Sequence, residues 1–414
     1  MGLGFLARGY NSYKRVILNV GYMRHSGRRR LLLIGNTLET FGGGERWLLE
    51  VATILKQEYY VTILNPISVK SLMKVSKAQL ARSYDLKSVD IVDLPSFGIE
   101  SQAFGTERFM LMVPKFRALA MLNDAIANTD VVYCLSSNPL LLGSVVQFCS
   151  IYRKKLVFGV HNPAFYKLFE RNGSVKQTLM NKSYKVLLRR ISYFHVINKD
   201  DEKLIRSHYP HAKVFRIPNF ISKEKENIRN NRKQFIVLFI GRFQMHQKGI
   251  DLLSRVILEV VKRESKIMFH LIGSGGDGEG AIKTLAANYK NNVKWLGFVD
   301  TKTLTREYRN AGLLILTSRF EGFPLVVLEA QSFGLPVVAF DVKGPGGIMI
   351  NSYQGDLISQ FKVEEFAKSI LKFHASWKKS GAAYIARKQA IADFVHAAFF
   401  STKVIPKITR MLKI

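Results

Sequence analysis

Two carboxylates flank a proline-started apolar segment within the stretch Ser318–Ala330, which reads SRFEGFPLVVLEA. Glu321 precedes Pro324, and Glu329 follows it by more than one helical turn. Proline is favoured at the first position of a helix, where no amide hydrogen is needed. The next two residues, Leu325 and Val326, would then present free amides with the helix dipole behind them. That arrangement is favourable for binding a phosphate group.

The two acids are expected to bind different ligand groups from those that bind at the helix start. A carboxylate beside a bound phosphate is repelled by it, so Glu329 is better suited to neutral hydroxyls, such as those of a ribose, which its two oxygens can accept. The alternative is that Glu329 is a solvated helix residue and Glu321 an ordinary loop acid.

Two cations follow another apolar run, Phe235–Ile240, in the segment GRFQMHQKGIDLL. Arg242 and Lys248 bracket a loop at the predicted end of a strand, where open α/β sheets bind ligands. A diphosphate suits this pair, because arginine binds oxygens through a planar fork and lysine acts as a point charge. Loops of a basic protein often carry such residues, so the pair alone is weak evidence.

Glycines and a histidine provide a third candidate region. Gly42, Gly43 and Gly44 precede a helix predicted to start at about Glu45, and glycine lets the backbone approach a ligand closely. A tight turn without a ligand explains the same glycines equally well. His161 follows the predicted strand Lys155–Val160, where a hydrogen-bonded structural histidine is as good an interpretation as a functional one.

Short apolar runs alternate with amphipathic helical segments along the chain, which predicts parallel sheets covered by helices on both faces. The predicted strands of the first half are Leu31–Ile34, Tyr60–Leu64, Val131–Cys134, Lys155–Val160, Tyr193–Ile197 and Lys213–Ile217. Those of the second half are Phe235–Ile240, Ile267–Ile272, Val293–Leu296, Leu313–Thr317 and Pro336–Phe340. The charged segment Ser222–Gln234 between the two sets has no apolar period and is the best linker candidate.

Length and composition agree with a globular protein of more than one domain. The chain has 414 residues, 47% of them hydrophobic and 22% charged, and ~150 residues per domain is usual. Its two cysteines, Cys134 and Cys149, exclude a disulfide framework and a structural zinc set, which fits a reducing compartment. No apolar run approaches the ~18 residues that span a bilayer, and the first residues lack the pattern of a secretion signal.

Several short segments follow one another along the chain: GGGER, His161–Asn162, Ile217–Ile221 (IPNFI), GR…KGIDLL, LIGSGGD, VKWLGFVD and Glu-x7-Glu. In these segments and their order the chain resembles glycosyltransferase family 4, the retaining group 1 glycosyltransferases. The likeness runs from about Leu31 to Leu357. One departure is the segment KGPGGIMINS, which lacks the acid that the family usually has after its paired glycines.

The resemblance implies the GT-B fold, an α/β architecture of two Rossmann-like domains facing each other across a cleft. The expected divisions are a basic extension (1–29), an acceptor-binding domain (30–221), a linker (222–233), a nucleotide-sugar-binding domain (234–390) and a helical end packing back on the first domain (391–414). Tyr384–Ile414 is predicted to be helical with a break at Pro406.

The resemblance also implies a reaction and a set of roles. A sugar would pass from a UDP- or GDP-linked donor to a lipid-linked or polysaccharide acceptor of a bacterial surface glycan, with retention of configuration. No cofactor is expected, and no metal, because the sequence has no Asp-x-Asp pair or dense metal-ligand cluster. The expected catalytic residues are His161, Arg242, Lys248 and Glu321. The expected donor-binding residues are Gly43, Gly44, Arg242, Lys248, Phe298, Val299, Phe323, Leu325, Val326 and Glu329.

Two other functions deserve comparison with this one. Gly273, Gly275 and Gly278 satisfy G-x-G-x-x-G after a predicted strand, and Asp300 lies about where a ribose-binding acid is expected, as in an NAD-dependent oxidoreductase. That fingerprint normally follows the first strand of its domain, whereas this one follows the second. The net charge of +31 raises the possibility of nucleic-acid binding, but the charges are spread over the chain and no nucleic acid is expected as a partner.

An excess of cations this large is expected where the partner is negative. Val175–Arg190 and the N-terminal extension both combine basic and apolar residues. We therefore expect a cytoplasmic protein bound peripherally to the anionic inner face of a membrane. The alternative is that the apolar side of Val175–Arg190 packs on the first sheet and leaves an ordinary solvated basic face.

Overall fold

The computed structural model describes residues 27–36, 38, 43–68, 84–103, 107–136, 138–161, 165–169, 175–222, 228, 234–379 and 381–414. Gly42, Asn162, most of the predicted extension 1–29 and most of the predicted linker 222–233 lie outside the described residues.

The described residues form two compact units. The first comprises the chain up to Val196, together with Asp201–Arg216 and Ile408–Ile414. The second comprises Ile197–Asp200 and Ile217–Lys407. The change between units therefore comes at Ile217, before the predicted linker, and the return to the first unit comes at Ile408 rather than at residue 391.

The first unit contains an eight-stranded sheet in the order β4-β3-β2-β1-β5-β6-β7-β8. Its strands are β1 Arg29–Ile34, β2 Tyr59–Ser68, β3 Val89–Ala103, β4 Glu107–Pro114, β5 Val131–Cys134, β6 Lys155–Val160, β7 Tyr193–Val196 and β8 Lys213–Arg216. All neighbours pair in parallel except β3 and β4. Neither strand was predicted: β3 mixes polar and apolar residues, and the apolar run Phe109–Val113 within β4 was not recognised as a strand.

Helices cover this sheet. They are α1 Gly43–Leu55, α2 Phe116–Ala127, α3 Pro139–Ile151, α4 Val175–Arg189 and α5 Lys199–His208. Helices α2, α3 and α4 contribute Leu122, Val145 and Leu188 to one buried core, which also contains Cys134 and Cys149. The two cysteines are core residues, as predicted, and burial raises the pKa of each thiol to about 12.

The second unit contains a six-stranded parallel sheet in the order β11-β10-β9-β12-β13-β14. Its strands are β9 Ile236–Ile240, β10 Met268–Ile272, β11 Val293–Gly297, β12 Leu313–Leu316, β13 Val337–Phe340 and β14 Gly355–Ile358. Its helices are α6 Ile250–Arg263, α7 Glu279–Asn288, α8 Thr301–Asn310, α9 Leu325–Ser332, α10 Val363–Lys379 and α11 Gly381–Phe399, followed by α12 Ser401–Lys413, which ends in the first unit. Five of these six strands match predicted runs, and the α/β class with parallel sheets is confirmed.

The helical end differs from the prediction in one respect. The break comes at Phe400, which pairs with Ile221 in an isolated bridge, and Pro406 lies inside α12. Two hydrogen bonds flank the break: the amide of Ile221 donates to the carbonyl of Phe399, and the amide of Ser401 donates to the carbonyl of Ile221. A tertiary contact, not the proline, therefore divides the two helices.

Candidate functional site

The structure brings Lys248 and Glu321 together in a buried ion pair. Lys248 Nζ lies 2.6 Å from Glu321 Oε1, and the two side chains are only 15% and 7% exposed. The hydroxyl of Ser318 donates to the same carboxylate oxygen at 2.7 Å. Lys248 comes from the loop after β9 and Glu321 from the loop after β12, so neighbouring strands place the pair at the carboxyl edge of the sheet. The sequence predicted both residues but not their contact.

Glycine backbone positions hold this pair in place. Gly249 has a φ of +62°, and a Cβ atom there would lie 2.2 Å from the carbonyl oxygen of Thr317. Thr317 in turn donates its hydroxyl to the carbonyl of Lys248 at 3.0 Å. Gly344 has a φ of +115°, and its Cβ would lie 2.8 Å from Glu321 Cβ. Both positions require glycine for conformation and for space.

Arg319 and Asp251 join the loop after β12 to the first turn of helix α6, and sequence reasoning missed both. The guanidinium of Arg319 donates to both oxygens of Asp251, at 2.9 and 2.6 Å, and to the carbonyl of Met245 at 3.1 Å. The hydrogen bond from Arg319 is the main reason that the pKa of Asp251 is lowered. In a chain rich in arginine, no local signal distinguishes Arg319 from the others.

The helix after Glu321 begins one residue later than predicted. Pro324 is the N-cap and α9 starts at Leu325, so the proline precedes the first helical position. The amide of Val327 donates to the carbonyl of Pro324, while the amides of Leu325 and Val326 precede the first hydrogen bond of the helix. They are therefore available to a ligand at this end of α9.

Phe323, one of the predicted donor-binding residues, has a buried side chain. Its ring is buried, in contact with the ring of Phe399. Its carbonyl oxygen accepts a hydrogen bond from the Asn219 side chain at 2.9 Å. Since the ring packs in the apolar core, Phe323 anchors the loop.

The remaining predicted residues of the second unit lie after strands β9 and β11 and inside helix α9. Arg242 is exposed directly after β9. Glu329 is half-buried and accepts a hydrogen bond from Tyr308 at 2.9 Å. Phe298, after β11, is 69% exposed, and Val299 is half-buried. An exposed aromatic ring at a strand end can stack on a base, and an oriented carboxylate can bind hydroxyls.

The glycine-rich loop after β10 has a backbone role. A Cβ on Gly273 would lie 1.9 Å from the carbonyl of Gly241, and a Cβ on Gly278 would lie 2.8 Å from that of Phe243. These glycines let the loop pack directly on the loop that follows β9. Asp300 caps helix α8, accepting from the amide of Thr303 at 2.7 Å. Both features of the oxidoreductase alternative thus have structural explanations.

In the first unit, His161 belongs to a cluster with Trp47, Tyr133 and His195. Its Nε2 lies 3.3 Å from the Tyr133 hydroxyl and 3.5 Å from His195 Nδ1. The Tyr133 hydroxyl lies 2.7 Å from the same Nδ1 atom, and the ring of Trp47 lies 4.6 Å from that of His161. Burial, and then the neighbouring His195, keep the pKa of His161 well below its usual range. Sequence reasoning proposed His161 alone.

Gly43 and Gly44 are the first two residues of helix α1 in the first unit. Helix α1 begins at Gly43, two residues earlier than predicted, and Gly43 is exposed. A Cβ on Gly44 would lie 3.2 Å from a methyl group of Leu135, which is a tight contact. Gly44 therefore has a packing reason to be glycine, in addition to the predicted ligand role.

Within the described ranges, no group of three or more His, Cys, Asp or Glu residues is arranged to hold a metal ion. In the same part of the chain, no helix combines the length and apolar character needed to cross a membrane.

Residues 220–389 match the model of the family described as glycosyl transferases group 1. This region of the chain is similar to that family. The match includes the Lys248–Glu321 pair, Arg242 and helix α9, so the site that geometry identifies lies inside the family region.

Two similar proteins carry the names of glycosyltransferases. A poly(ribitol-phosphate) alpha-N-acetylglucosaminyltransferase of Staphylococcus aureus (strain COL) is 30% identical over 224 residues, which cover 52% of this chain and 43% of the relative. The amylovoran biosynthesis glycosyltransferase AmsD of Erwinia amylovora is 30% identical over 163 residues, covering 37% of this chain and 45% of AmsD. The chain thus spans less than half the length of these relatives.

Solved structures share the fold over nearly the whole chain. Anabaena Alr3699/HepE in complex with UDP and glucose matches with a TM-score of 0.69 and 17% identity, covering 93% of this chain and 100% of that one. Sucrose-phosphate synthase of Thermosynechococcus elongatus matches with a TM-score of 0.69 and 16% identity, covering 93% and 98%. The chain therefore has the GT-B fold of glycosyltransferases.

Proposed function

We propose that this chain is a retaining, metal-independent glycosyltransferase that moves a sugar from a UDP- or GDP-linked donor to the glycan or lipid-linked acceptor of a bacterial surface polysaccharide. The observation that carries the proposal is the buried Lys248–Glu321 pair, whose lysine shares the loop after β9 with the exposed Arg242, within the matched region. Cations and an acid held together at strand ends suit a ligand with a charged diphosphate and a neutral sugar.

The diphosphate binds Arg242, Lys248 and the amides at the start of α9 in this proposal. Negative charge develops on the diphosphate as the sugar–phosphate bond breaks. Preorganised cations and helix amides stabilise that charge, and this is usually the largest catalytic term. Lys248 is already held by Glu321 at 2.6 Å, so it needs little reorganisation. The departing phosphate assists deprotonation of the acceptor, and no separate base is required.

Glu321 and Glu329 bind hydroxyl groups. The Glu321 side chain is held by Lys248 and Ser318, and its amide donates to the carbonyl of Lys343, which supports contact with the donor sugar. Glu329 is oriented by Tyr308 and accepts from the ribose. Phe298 and Val299 contact the base, while His161 and the glycines Gly43 and Gly44 serve the sugar and acceptor side.

The acceptor class rests on the relatives. Their names refer to poly(ribitol-phosphate), to amylovoran biosynthesis and, for a Salmonella typhimurium enzyme that is 26% identical over 138 residues, to lipopolysaccharide. These names support an acceptor among bacterial surface glycans. The donor is supported by the UDP in the structure of Alr3699/HepE.

Peripheral attachment to an anionic membrane, at its cytoplasmic face, is part of the same proposal. Helices α2, α3 and α4 pack on one face of the first sheet, and they present exposed Phe116, Leu140 and Val186. Exposed basic residues accompany them: Arg117, Lys182, Arg189 and Arg190. We call these seven residues the basic apolar surface. Each basic group near anionic lipid contributes about 1 kcal/mol, so these four are enough for reversible attachment.

A thermal unfolding screen with UDP- and GDP-sugars tests the donor. A ligand at 100 times its dissociation constant stabilises the native state by about 2.7 kcal/mol, and release of free sugar shows that the bound compound is a substrate. The Arg242→Ala variant serves as the binding control. Protection by NADH and by none of the nucleotide sugars would overturn the proposal in favour of an oxidoreductase.

A further inference from the structure

Tyr133, Gly159 and His195 lie on three neighbouring strands, β5, β6 and β7, on the same face of the first sheet. Gly159 pairs in register with His195. A Cβ on Gly159 would lie only 2.2 Å from the Tyr133 hydroxyl. The glycine therefore leaves the space through which the phenol crosses β6 and reaches His195 Nδ1 at 2.7 Å. Glycine inside a strand often marks such a close approach.

His161 joins this cluster from the end of the middle strand. It follows Gly159 by two residues, so strand alternation favours the same face, and its Nε2 contacts both Tyr133 Oη and His195 Nδ1. Trp47 covers the cluster with its ring against His161. Tyr133 and His195 are almost completely buried, so the contact between the Tyr133 hydroxyl and His195 Nδ1 satisfies two buried polar atoms.

The single hydroxyl proton of Tyr133 decides which histidine nitrogens carry hydrogen. If Tyr133 donates to His195, its oxygen can accept from His161 Nε2–H. If His195 donates instead, Tyr133 donates to His161. The 2.7 Å distance from the Tyr133 hydroxyl to His195 Nδ1 is typical of a hydrogen bond donated by a hydroxyl group. The 3.3 Å distance from the same hydroxyl to His161 Nε2 is typical of a weak hydrogen bond donated by an N–H group. The lengths favour the first arrangement.

We propose that Tyr133 and His195 are positioning residues that hold His161 as its Nε2–H tautomer and leave Nδ1 as a hydrogen-bond acceptor. Such a nitrogen selects a ligand group that donates, and a sugar hydroxyl is that kind of group. The lowered pKa of His161 agrees with a neutral ring. The ligand in this inference rests on the proposed glycosyl transfer, whereas the tautomer does not.

Nuclear magnetic resonance of ¹⁵N-histidine-labelled protein measures the tautomer without any substrate. We expect the His161 signals, assigned by comparison with the His161→Gln variant, to show a protonated Nε2 and an unprotonated Nδ1 near neutral pH. Hydrogen on Nδ1, or a charged ring at that pH, would overturn the inference. A wild-type protein that transfers no sugar would defeat the proposed function and leave this measurement valid.

The Tyr133→Phe variant tests the positioning role. We expect a mixture of His161 tautomers and about a tenfold lower kcat, the effect of one lost hydrogen bond. Tyr184→Phe is the matched control: among the described residues the buried Tyr184 hydroxyl has no hydrogen-bond partner, so tautomer and kcat should stay as in the wild type.

Circular dichroism and urea unfolding establish that both variants fold. Should Tyr133→Phe not fold, the wild-type tautomer measurement and His195→Gln carry the test. An unchanged His161 tautomer with unchanged kcat in a folded Tyr133→Phe protein would contradict the positioning role.

Discussion

The Lys248–Glu321 cluster and the His161 cluster differ in how their polar groups are neutralised. In the second unit, opposite charges offset each other at 2.6 Å and a further cation, Arg242, is exposed nearby. In the first unit, the Tyr133 hydroxyl and the rings of His161 and His195 lie within 3.5 Å of one another, and burial disfavours a charge on His161. The charged cluster suits a diphosphate, and the neutral one suits a hydroxyl.

The difference also sets the scale of mutational effects. Removing one partner of a buried ion pair leaves an uncompensated charge and costs about 3–5 kcal/mol. Removing one neutral hydrogen bond costs about 1 kcal/mol. Substitutions of Lys248 or Glu321 should therefore affect both stability and transfer.

Lys248→Ala is expected to have the largest effect. It leaves the Glu321 carboxylate buried without its cation, so we expect loss of transfer and a fall of about 3 kcal/mol in the free energy of unfolding. Urea unfolding and a transfer assay measure the two effects. The double variant Lys248→Met, Glu321→Gln should regain stability without transfer. If the single variant were as stable as the wild type, the pair would not be a buried, coupled one.

Arg242→Ala should separate binding from stability in the same cluster. The residue is exposed, so the melting temperature should stay unchanged. Transfer should fall roughly tenfold or more, because a charge-assisted hydrogen bond contributes about 1.5–3 kcal/mol. Arg255→Ala, at an exposed position on helix α6, is the matched control and should keep full transfer. Equal activity of both variants would refute the assignment of Arg242.

Glu329→Ala should also remove most of the transfer while the fold is retained. The carboxylate is oriented by Tyr308, so Tyr308→Phe should lower transfer less, through the Michaelis constant for the donor. Steady-state kinetics with varied donor distinguishes the two variants. If Glu329→Ala had the same kinetics as the wild type, Glu329 would be a solvated helix residue without a role in donor binding.

Substitutions on the basic apolar surface should weaken membrane attachment without affecting the Lys248–Glu321 cluster or the His161 cluster. Co-sedimentation with vesicles should require anionic lipid and weaken as salt screens the charges. Lys182→Glu with Arg189→Glu should reduce the bound fraction. A single exchange at exposed Lys290 of the second unit, Lys290→Glu, should have little effect. Protein that stays in the supernatant at low salt would favour a soluble acceptor.

Chelation should have the smallest effect of all. If the cations of the charged cluster neutralise the diphosphate, EDTA should leave turnover within about twofold, since no metal ion is needed for that role. Activity is measured before and after dialysis against EDTA. If EDTA abolished turnover and manganese restored it, a metal ion would neutralise the diphosphate, and the role of Lys248 and Arg242 would be smaller.

Sequence reasoning predicted the parts of the fold that are encoded locally. Buried parallel strands appear as continuous apolar runs, and the runs at Val131–Cys134 and Lys155–Val160 agree with β5 and β6 residue for residue. Strands β3 and β14 have no such run and were missed, and the edge strand β4 was missed although it contains the apolar run Phe109–Val113. The roles assigned to Arg242, Lys248, Glu321 and His161 came from motifs at strand ends and stay predictions.

Tertiary structure alone decided which of these residues touch. Glu321 is 73 residues from Lys248, Asp251 is 68 from Arg319, and His195 is 62 from Tyr133. Such contacts depend on strand order, on register and on where a glycine leaves room, as Gly159 does for the Tyr133 hydroxyl. By itself, the sequence determined the α/β class and the candidate residues, because apolar runs and strand-end motifs are local. The ion pair and the proton-sharing rings were decided by the fold, because distant segments meet only when the sheet is assembled.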